Sequence, residues 1–179
     1  MTRLTRLMVG ALLTVAAAGC APMMVSSHVE RGLDLTRYRT FEWGPADALP
    51  TGDPRLDRNP FFKDYFEGAV EKQLAARKIE HSSTSPELLI HYHASITRRI
   101  DVNRTDSING YCADESCTTR VNEFEAGTLI LDILDARTNR LIWRGWAQHA
   151  TGDELENRDH MARRIDEAVT KMLARFSPL

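Results

Sequence analysis

Two histidines with a metal-binding spacing, His91 and His93, flank Tyr92 in a segment that alternates between apolar and polar residues. Residues two apart in a strand point to the same face, so both imidazoles would face one way. Such a pair can bind zinc if a neighbouring strand supplies a third ligand, and His149 and Asp132 are the candidates. The same spacing also arises by chance on the wetter face of a sheet. We therefore expect no metal and no cofactor, and keep a metal-binding protein or metal-dependent enzyme using His91 and His93 as the alternative function.

Charged residues cluster where a predicted strand ends, and the group consists of Asp132, Asp135, Arg137 and Arg140. Paired carboxylates could perform general acid-base catalysis. Acids that cap a turn and form salt bridges with arginines explain the same pattern and are favoured. The sequence contains no serine in an elbow motif and no glycine-rich phosphate loop. It therefore predicts a protein that is not an enzyme.

Aromatic residues offer a different kind of site, a surface for a partner. Trp143 and Trp146 are three residues apart in a predicted strand, so they lie on opposite faces, one in the core and the other outward. An outward Trp146 could form a partner patch, and Tyr92 is the other candidate for it. A loop that covers the ring is the alternative. A binding function predicts that Trp146 or Tyr92 belongs to an exposed patch.

The N-terminus has the three parts of a secretory signal: a basic start with Arg3 and Arg6, an apolar stretch, and small residues up to Gly19-Cys20. The apolar stretch, residues 7–18, has about a dozen residues. A transmembrane helix needs roughly 20. Residues 1–19 are therefore predicted to be a signal peptide that is removed.

The segment Ala17-Ala18-Gly19-Cys20 resembles the lipobox of bacterial lipoproteins, with Ala17 where that family usually has Leu. The resemblance implies that the Cys20 thiol carries a diacylglyceryl group, and two or three acyl chains make a lasting membrane anchor. The alternative is an ordinary cleavage site followed by a free or disulfide-bonded cysteine. Ala21 follows where an acidic residue would favour the inner membrane. The expected location is therefore the outer membrane, facing the periplasm.

Two further cysteines, Cys112 and Cys117, remain once Cys20 is assigned to lipid. An even pair in an oxidising compartment predicts a structural disulfide. The four residues between them, Ala-Asp-Glu-Ser, are mainly polar or acidic and do not match the two-residue spacing typical of redox-active pairs. A zinc site would need two more ligands, and the loop between the cysteines has no histidine or further cysteine.

The charge of the chain argues against nucleic acid as a partner. The chain of 179 residues has 23 basic and 25 acidic side chains, and removal of residues 1–19 takes away two arginines and no acid. The net charge of the mature chain is then about −4, and no stretch concentrates Lys or Arg beyond pairs. We expect no nucleic-acid partner.

The pattern of apolar residues predicts a tether over residues 20–35 and a single domain over residues 36–179. Period-2 alternation predicts strands and period-3.6 stripes predict helices. The predicted elements are a strand at 38–43, a helix from Asn59-Pro60 to about Lys78, strands at 88–97, 127–134 and 141–148, and a helix at 158–176.

This β-α-β-β-β-α order indicates an α+β fold. Three consecutive alternating strands favour an antiparallel meander, and two amphipathic helices are enough to cover one face of it. The sequence thus predicts a two-layer sandwich with a mainly antiparallel sheet of about four strands and both helices on one face.

Three segments together resemble bacterial lipoproteins with domain of unknown function 4136. They are Tyr38–Trp43, Ser85–Tyr92 and the run Gly127–Ala147, and the resemblance covers most of residues 38–176. It implies a periplasm-facing lipoprotein domain of unestablished role, and it brings no catalytic residues.

Two positions depart from the pattern of that family. Arg77-Lys78-Ile79 stands where the family often has a glycine that ends the helix, and Asn139 stands where the hairpin often has a glycine. Asn139 can adopt a left-handed conformation. The combined expectation is a non-enzymatic binding or accessory module of the cell envelope, anchored by lipid, with a protein, lipid or glycan partner.

Overall fold

The computed structural model describes residues 23–44, 53–105, 118–152 and 157–176. The predicted signal peptide, Cys20 and the cysteine pair Cys112 and Cys117 lie outside these residues. No helix in the described part of the chain is long and apolar enough to cross a membrane.

One mixed sheet of six strands forms the framework, in the order β1-β6-β5-β4-β2-β3. Its strands are β1 (Met24–Val29), β2 (Thr40–Trp43), β3 (Glu80–His81), β4 (Leu88–Thr105), β5 (Thr118–Asp135) and β6 (Arg140–Thr151). The described helices are α1 (Pro54–Asp57), α2 (Phe62–Ala75) and α3 (Arg158–Leu173), and a 3₁₀ turn covers Leu35–Arg37.

The prediction of a mainly antiparallel sheet of about four strands with two helices was wrong. The meander β4-β5-β6 is antiparallel, as expected, but β2 pairs in parallel with both β3 and β4. The parallel pairing arises because α2 carries the chain across the sheet between β2 and β4. Strand β3 has two residues, too few to show an alternating pattern.

Strand β1 forms from residues that the sequence pattern assigned to the tether. It pairs antiparallel with β6 along six residues, from Met24 opposite Gln148 to Val29 opposite Trp143. Its sequence is half polar, so its own pattern is weak. Its backbone is held by the edge of β6, a partner more than 100 residues away in sequence.

The core lies between the sheet and the two long helices. The predicted apolar stripes of α2 and α3 are both buried, with Phe66, Val70 and Val169 fully so. They pack on the inner face of the sheet, where Leu131, Ile133 and Trp143 are among the fully buried side chains. Full burial of one such side chain contributes about 1.5–3 kcal/mol.

Two asparagines begin the long helices. The Asn59 Oδ1 accepts hydrogen bonds from the backbone N–H groups of Phe61 and Phe62, at 3.0 and 3.2 Å. The Asn157 Oδ1 accepts from Asp159 and His160, both at 3.1 Å. Such a side chain satisfies backbone donors that the first turn of a helix leaves unpaired. Asn59 thus caps the turn that leads into α2, whose own N-cap position is Phe61.

Strands β4 and β5 have 18 residues each and pair along their whole length. Strand β6 pairs with β5 only as far as Thr151, opposite Glu125, and β2 pairs with β4 only at 88–90. Residues 99–105 and 118–124 therefore continue past β6 as a two-stranded ribbon, which we call the arm. Strands β4 and β5 extend beyond the strands predicted at 88–97 and 127–134, because Arg98 and Arg99 interrupt the alternation at the base of the arm.

Candidate functional site

The side of the sheet that faces away from α2 and α3, the outer face, carries most of the residues that the sequence singles out. Alternation places His91, His93, Asp132 and Trp146 on this face. One row across the strands runs from His28 through Arg144 and Asp132 to His91, and the next runs from Ser26 through Trp146 and Ile130 to His93. Both histidines and Trp146 are half-buried.

Asp132 is held by Arg144 on the adjacent strand. The guanidinium donates from Nε to Oδ1 at 2.6 Å and from Nη2 to Oδ2 at 2.5 Å, so both carboxylate oxygens are engaged. Donating these hydrogen bonds to Asp132 raises the pKa of Arg144. A carboxylate bound in this way is a structural ion pair across two strands. It is a poor metal ligand while the arginine occupies both oxygens.

The predicted zinc ligands are not brought together in the described part of the chain. His149 lies on the inner face of the sheet, opposite to His91 and His93. The His91 ring lies against the backbone of Gly44, where a Cβ atom would be 2.2 Å from its Cε1 atom. Among the described residues, no three His, Cys, Asp or Glu side chains form a group that could hold a metal ion.

Asp135 has a structural role at the turn between β5 and β6. Its Oδ1 accepts hydrogen bonds from the Thr138 backbone N–H at 2.9 Å and the Thr138 hydroxyl at 2.8 Å. Its Oδ2 accepts from the Tyr38 hydroxyl at 3.0 Å, and Arg37 lies 3.5 Å away. Burial acts to raise the pKa of Asp135, but the Thr138 and Tyr38 hydrogen bonds outweigh it and the pKa is lowered. The turn-capping interpretation of Asp135 is confirmed.

Of the two arginines expected beside these acids, Arg137 lies near enough to Asp135 to help lower its pKa, whereas Arg140 has another partner. Arg140 pairs with Glu30, which follows β1. Asp132 points to the outer face, whereas Asp135 lies opposite Leu88 on the inner side. The two aspartates therefore do not converge on one point where acid-base chemistry could occur.

Trp146 and Tyr92, the two predicted partner-patch residues, lie on opposite faces of the sheet. Trp146 is on the outer face opposite Ile130. Tyr92 is on the inner face, where its ring is 4.6 Å from the Phe66 ring and 6.0 Å from the Trp43 ring, measured between centroids. Burial raises the pKa of the Tyr92 hydroxyl, and the carboxylate of Glu67 adds to it. The two rings cannot belong to one patch.

Trp143 and Trp146 point to opposite faces of β6, as predicted. Trp143 is fully buried and its ring packs edge-on against Phe176, with 5.4 Å between the ring centroids. Its Nε1 atom is buried and has no hydrogen-bond partner among the described residues.

A more exposed apolar surface lies on the arm, which the sequence pattern treated as polar. Ile100, Val102, Val121 and Phe124 are 61%, 55%, 57% and 41% exposed. Val102 is directly opposite Val121, so these two and Ile100 share one side of the ribbon. The signal that could have found this surface is the alternation of β4, which runs on past Ile96 to Ile100 and Val102.

The base of the arm is tied to α1 through Arg55. Its Nη1 donates to Glu125 Oε2 at 2.9 Å, and its Nη2 donates to Asp53 Oδ2 at 2.7 Å. These hydrogen bonds raise the pKa of Arg55, and the bond from Arg55 lowers the pKa of Glu125. The ion pairs hold the point at which the ribbon leaves the sheet.

A cavity of about 90 Å³ lies beneath α3 at the same end of the sheet. Its walls are mostly apolar and include Ile96, Leu129 and Ile165. Two polar atoms on these walls, His149 Nδ1 and Thr151 Oγ1, are buried and have no hydrogen-bond partner in the described residues. A buried polar atom of this kind costs about 1–3 kcal/mol.

Solved structures are similar to this chain at low sequence identity. A PDZ domain protein from Parabacteroides distasonis is similar with a TM-score of 0.53 and 13% identity, over 86% of this chain and 36% of that chain. The PelC dodecamer from Paraburkholderia phytofirmans is similar with a TM-score of 0.49 and 8% identity, over 85% of this chain and 96% of that chain. The likeness to the PDZ domain protein shows the fold alone.

No curated protein matches the chain in sequence. The sequence profile of domain of unknown function 4136 matches residues 25–178, which include both long helices and all of β1 except Met24. The chain therefore belongs to the family of domain of unknown function 4136 (DUF4136).

Proposed function

We propose that this chain is a lipid-anchored binding module of the bacterial cell envelope, attached through Cys20 to the outer membrane and facing the periplasm. The observation that carries the proposal is the position of β1, which begins at Met24, four residues after Cys20. An anchor at Cys20 would hold the folded domain close to the bilayer. The lipobox-like segment Ala17–Cys20 supplies the attachment chemistry.

The two aspartates that could perform acid-base catalysis have structural partners, which favours a binding role. Asp132 is bound by Arg144, and Asp135 caps a turn. The exposed features are instead apolar, on the arm. Apolar surface that remains exposed on a folded domain is typical of an interaction site.

Metabolic labelling with a palmitate analogue tests the anchor. The full chain is expressed in a bacterium with an outer membrane, and label and membrane fractions are compared between wild type and Cys20→Ser. The wild type is expected to carry the label and to fractionate with the outer membrane. The Cys20→Ser variant is expected to carry no label and to be released with the periplasmic contents.

Cys112→Ser is the matched control, since it removes another cysteine and should leave labelling unchanged. Equal labelling of wild type and Cys20→Ser would sink the proposal of a lipid anchor. Label confined to the inner-membrane fraction would contradict the outer-membrane location alone.

A further inference from the structure

The exposed apolar side chains are concentrated at one end of the molecule. In the described part of the chain, the large apolar residues more than two-fifths exposed are Met24, Ile100, Val102, Val121, Phe124 and Leu141. All but Leu141 lie at the end from which the arm extends. Leu141 lies at the other end, next to the turn that joins β5 and β6.

The chain also leaves the domain toward Cys20 at this end. Met24 is opposite Gln148, Gln148 is opposite Thr128, and Thr128 is opposite Ser95. Strand β1 runs away from this row, so its first residue, Met24, lies at the end of the sheet from which the arm extends. The N-terminal exit and the arm therefore share one end of the sheet.

The reach of the N-terminal segment is short compared with the arm. Met23 is three residues along the chain from Cys20, and an extended chain of that length spans at most about 11 Å. From Ser95 to Thr105, β4 advances ten residues, or about 33 Å. The Cys20 anchor would hold the domain close to the bilayer. Because the arm extends from the same end of the domain, it would then contact the lipid surface.

The arm has the composition of a surface that enters the headgroup region. Ile100, Val102 and Val121 lie on one side of the ribbon, where the exposed Glu123 is opposite Ile100, and Phe124 lies on the other side opposite Arg99. Arg98 and Arg99 are both exposed near the base. Apolar side chains flanked by arginines bind at the boundary between acyl chains and phosphates, where guanidinium groups pair with lipid phosphate.

We infer that the arm binds the lipid surface of the bilayer that carries the Cys20 anchor, with Ile100, Val102 and Val121 in the headgroup region. The inference rests on the proposed function, because the anchor sets the distance between domain and membrane. It makes the chain a module with two membrane contacts, one covalent and one through the ribbon, which would fix its orientation at the surface.

The first test uses the lipidated full chain reconstituted in vesicles of phosphatidylethanolamine and phosphatidylglycerol that contain a brominated lipid. Val102→Trp adds a tryptophan on the arm, and its fluorescence is expected to be quenched by bromine. Leu141→Trp, the matched control at the other end, is expected to add unquenched fluorescence. Equal fluorescence of the added tryptophan with and without brominated lipid in Val102→Trp would overturn the inference.

The second test does not depend on the anchor. Purified Cys20→Ser protein, which cannot be lipidated at that residue, is sedimented with the same vesicles. Adding Val102→Asp and Val121→Asp is expected to weaken vesicle binding by about tenfold or more, whereas Leu141→Asp leaves it unchanged. Circular dichroism and urea unfolding check that each variant is folded, which these exposed positions should permit.

Vesicle binding that is the same with and without the two aspartates would reject a lipid-binding arm. The inference would also be rejected if the protein were a dimer that the two aspartates dissociate while vesicle binding stays the same. The arm would then bind a second copy of the chain. The two proposals can fail separately. A protein that carries no palmitate label but still binds vesicles through the arm would reject the anchor alone. A labelled protein whose vesicle binding does not depend on the arm would reject the lipid contact of the arm alone.

Discussion

The indole of Trp143 covers the backbone of Gly145, two residues further along the same face of β6. A Cβ atom at position 145 would lie 2.2 Å from the Trp143 Cη2 atom. The ring is also held from the other side by Phe176. The glycine at position 145 therefore leaves room for the Trp143 ring, which is the largest fully buried side chain among the described residues.

Gly145→Ala is expected to lower the free energy of unfolding by about 1–3 kcal/mol, because the added methyl group displaces a tightly packed ring. Urea unfolding measures the change. Gly68→Ala is the matched control, since a Cβ atom at this exposed position in α2 has nothing within 4 Å. It should raise stability by about 0.5–1 kcal/mol. A Gly145→Ala variant as stable as wild type would show that the ring can move at no cost.

Lys78→Gly is expected to stabilise the protein by about 1 kcal/mol, because Lys78 has a left-handed backbone with φ of 62° after the end of α2. This is the helix end at which the family often has a glycine. Lys72→Gly within α2 is the control, and should destabilise by about 1 kcal/mol through lost helix propensity. Thermal unfolding separates the two. A destabilising Lys78→Gly would contradict the assignment of strain to that residue.

Asp135→Ala is expected to cost about 1–3 kcal/mol at neutral pH, since the Tyr38 hydroxyl and the turn lose their acceptor. The folded pKa of Asp135 is lowered from its ordinary 3.8. Its stabilising effect is therefore complete above that value and is lost as the pH falls through the folded pKa.

Urea unfolding of wild type and Asp135→Ala over a range of pH checks this linkage. The difference between their free energies of unfolding, the stability gap, should narrow below about pH 4. Asp135→Asn, which keeps an acceptor oxygen and cannot ionise, is the control and should lose less at neutral pH. A gap that stays constant down to the lowest pH at which the protein folds would argue against a depressed pKa.

Thr151→Val is expected to leave stability unchanged or to raise it by up to about 1 kcal/mol, because the buried Thr151 hydroxyl has no partner in the described residues. Thr40→Val is the matched control. The Thr40 hydroxyl donates to the Ser85 carbonyl at 2.9 Å and accepts from the Glu87 backbone N–H at 3.2 Å, so its loss should destabilise. Equal losses from both changes in thermal unfolding would contradict the assignment of an unpaired hydroxyl at Thr151.

Part of this architecture follows from local sequence patterns. The stripes of α2 and α3 and the alternation of β4, β5 and β6 show which faces are buried, because burial on one face imposes a period of 3.6 or 2 on the sequence. The opposite directions of Trp143 and Trp146 follow from the same alternation. The left-handed backbone of Asn139, with φ of 53°, agrees with the tolerance of asparagine for that conformation.

Other features have no local signal. Strand β1 is half polar and exists because β6 offers an unpaired edge, and β3 is held beside β2 by two residue pairs. Neither pairing leaves a period in the sequence. The parallel direction of β2 likewise depends on how α2 packs across the sheet, which is a property of the assembled core.

The sequence by itself determined the two amphipathic helices and the antiparallel meander, because each depends on residue types within a short segment. Only the tertiary structure decided that Trp146 and Tyr92 lie on opposite faces, that Arg144 occupies Asp132, and that the arm and the N-terminal exit share one end. These relationships join residues distant in sequence, and strand order and register set them.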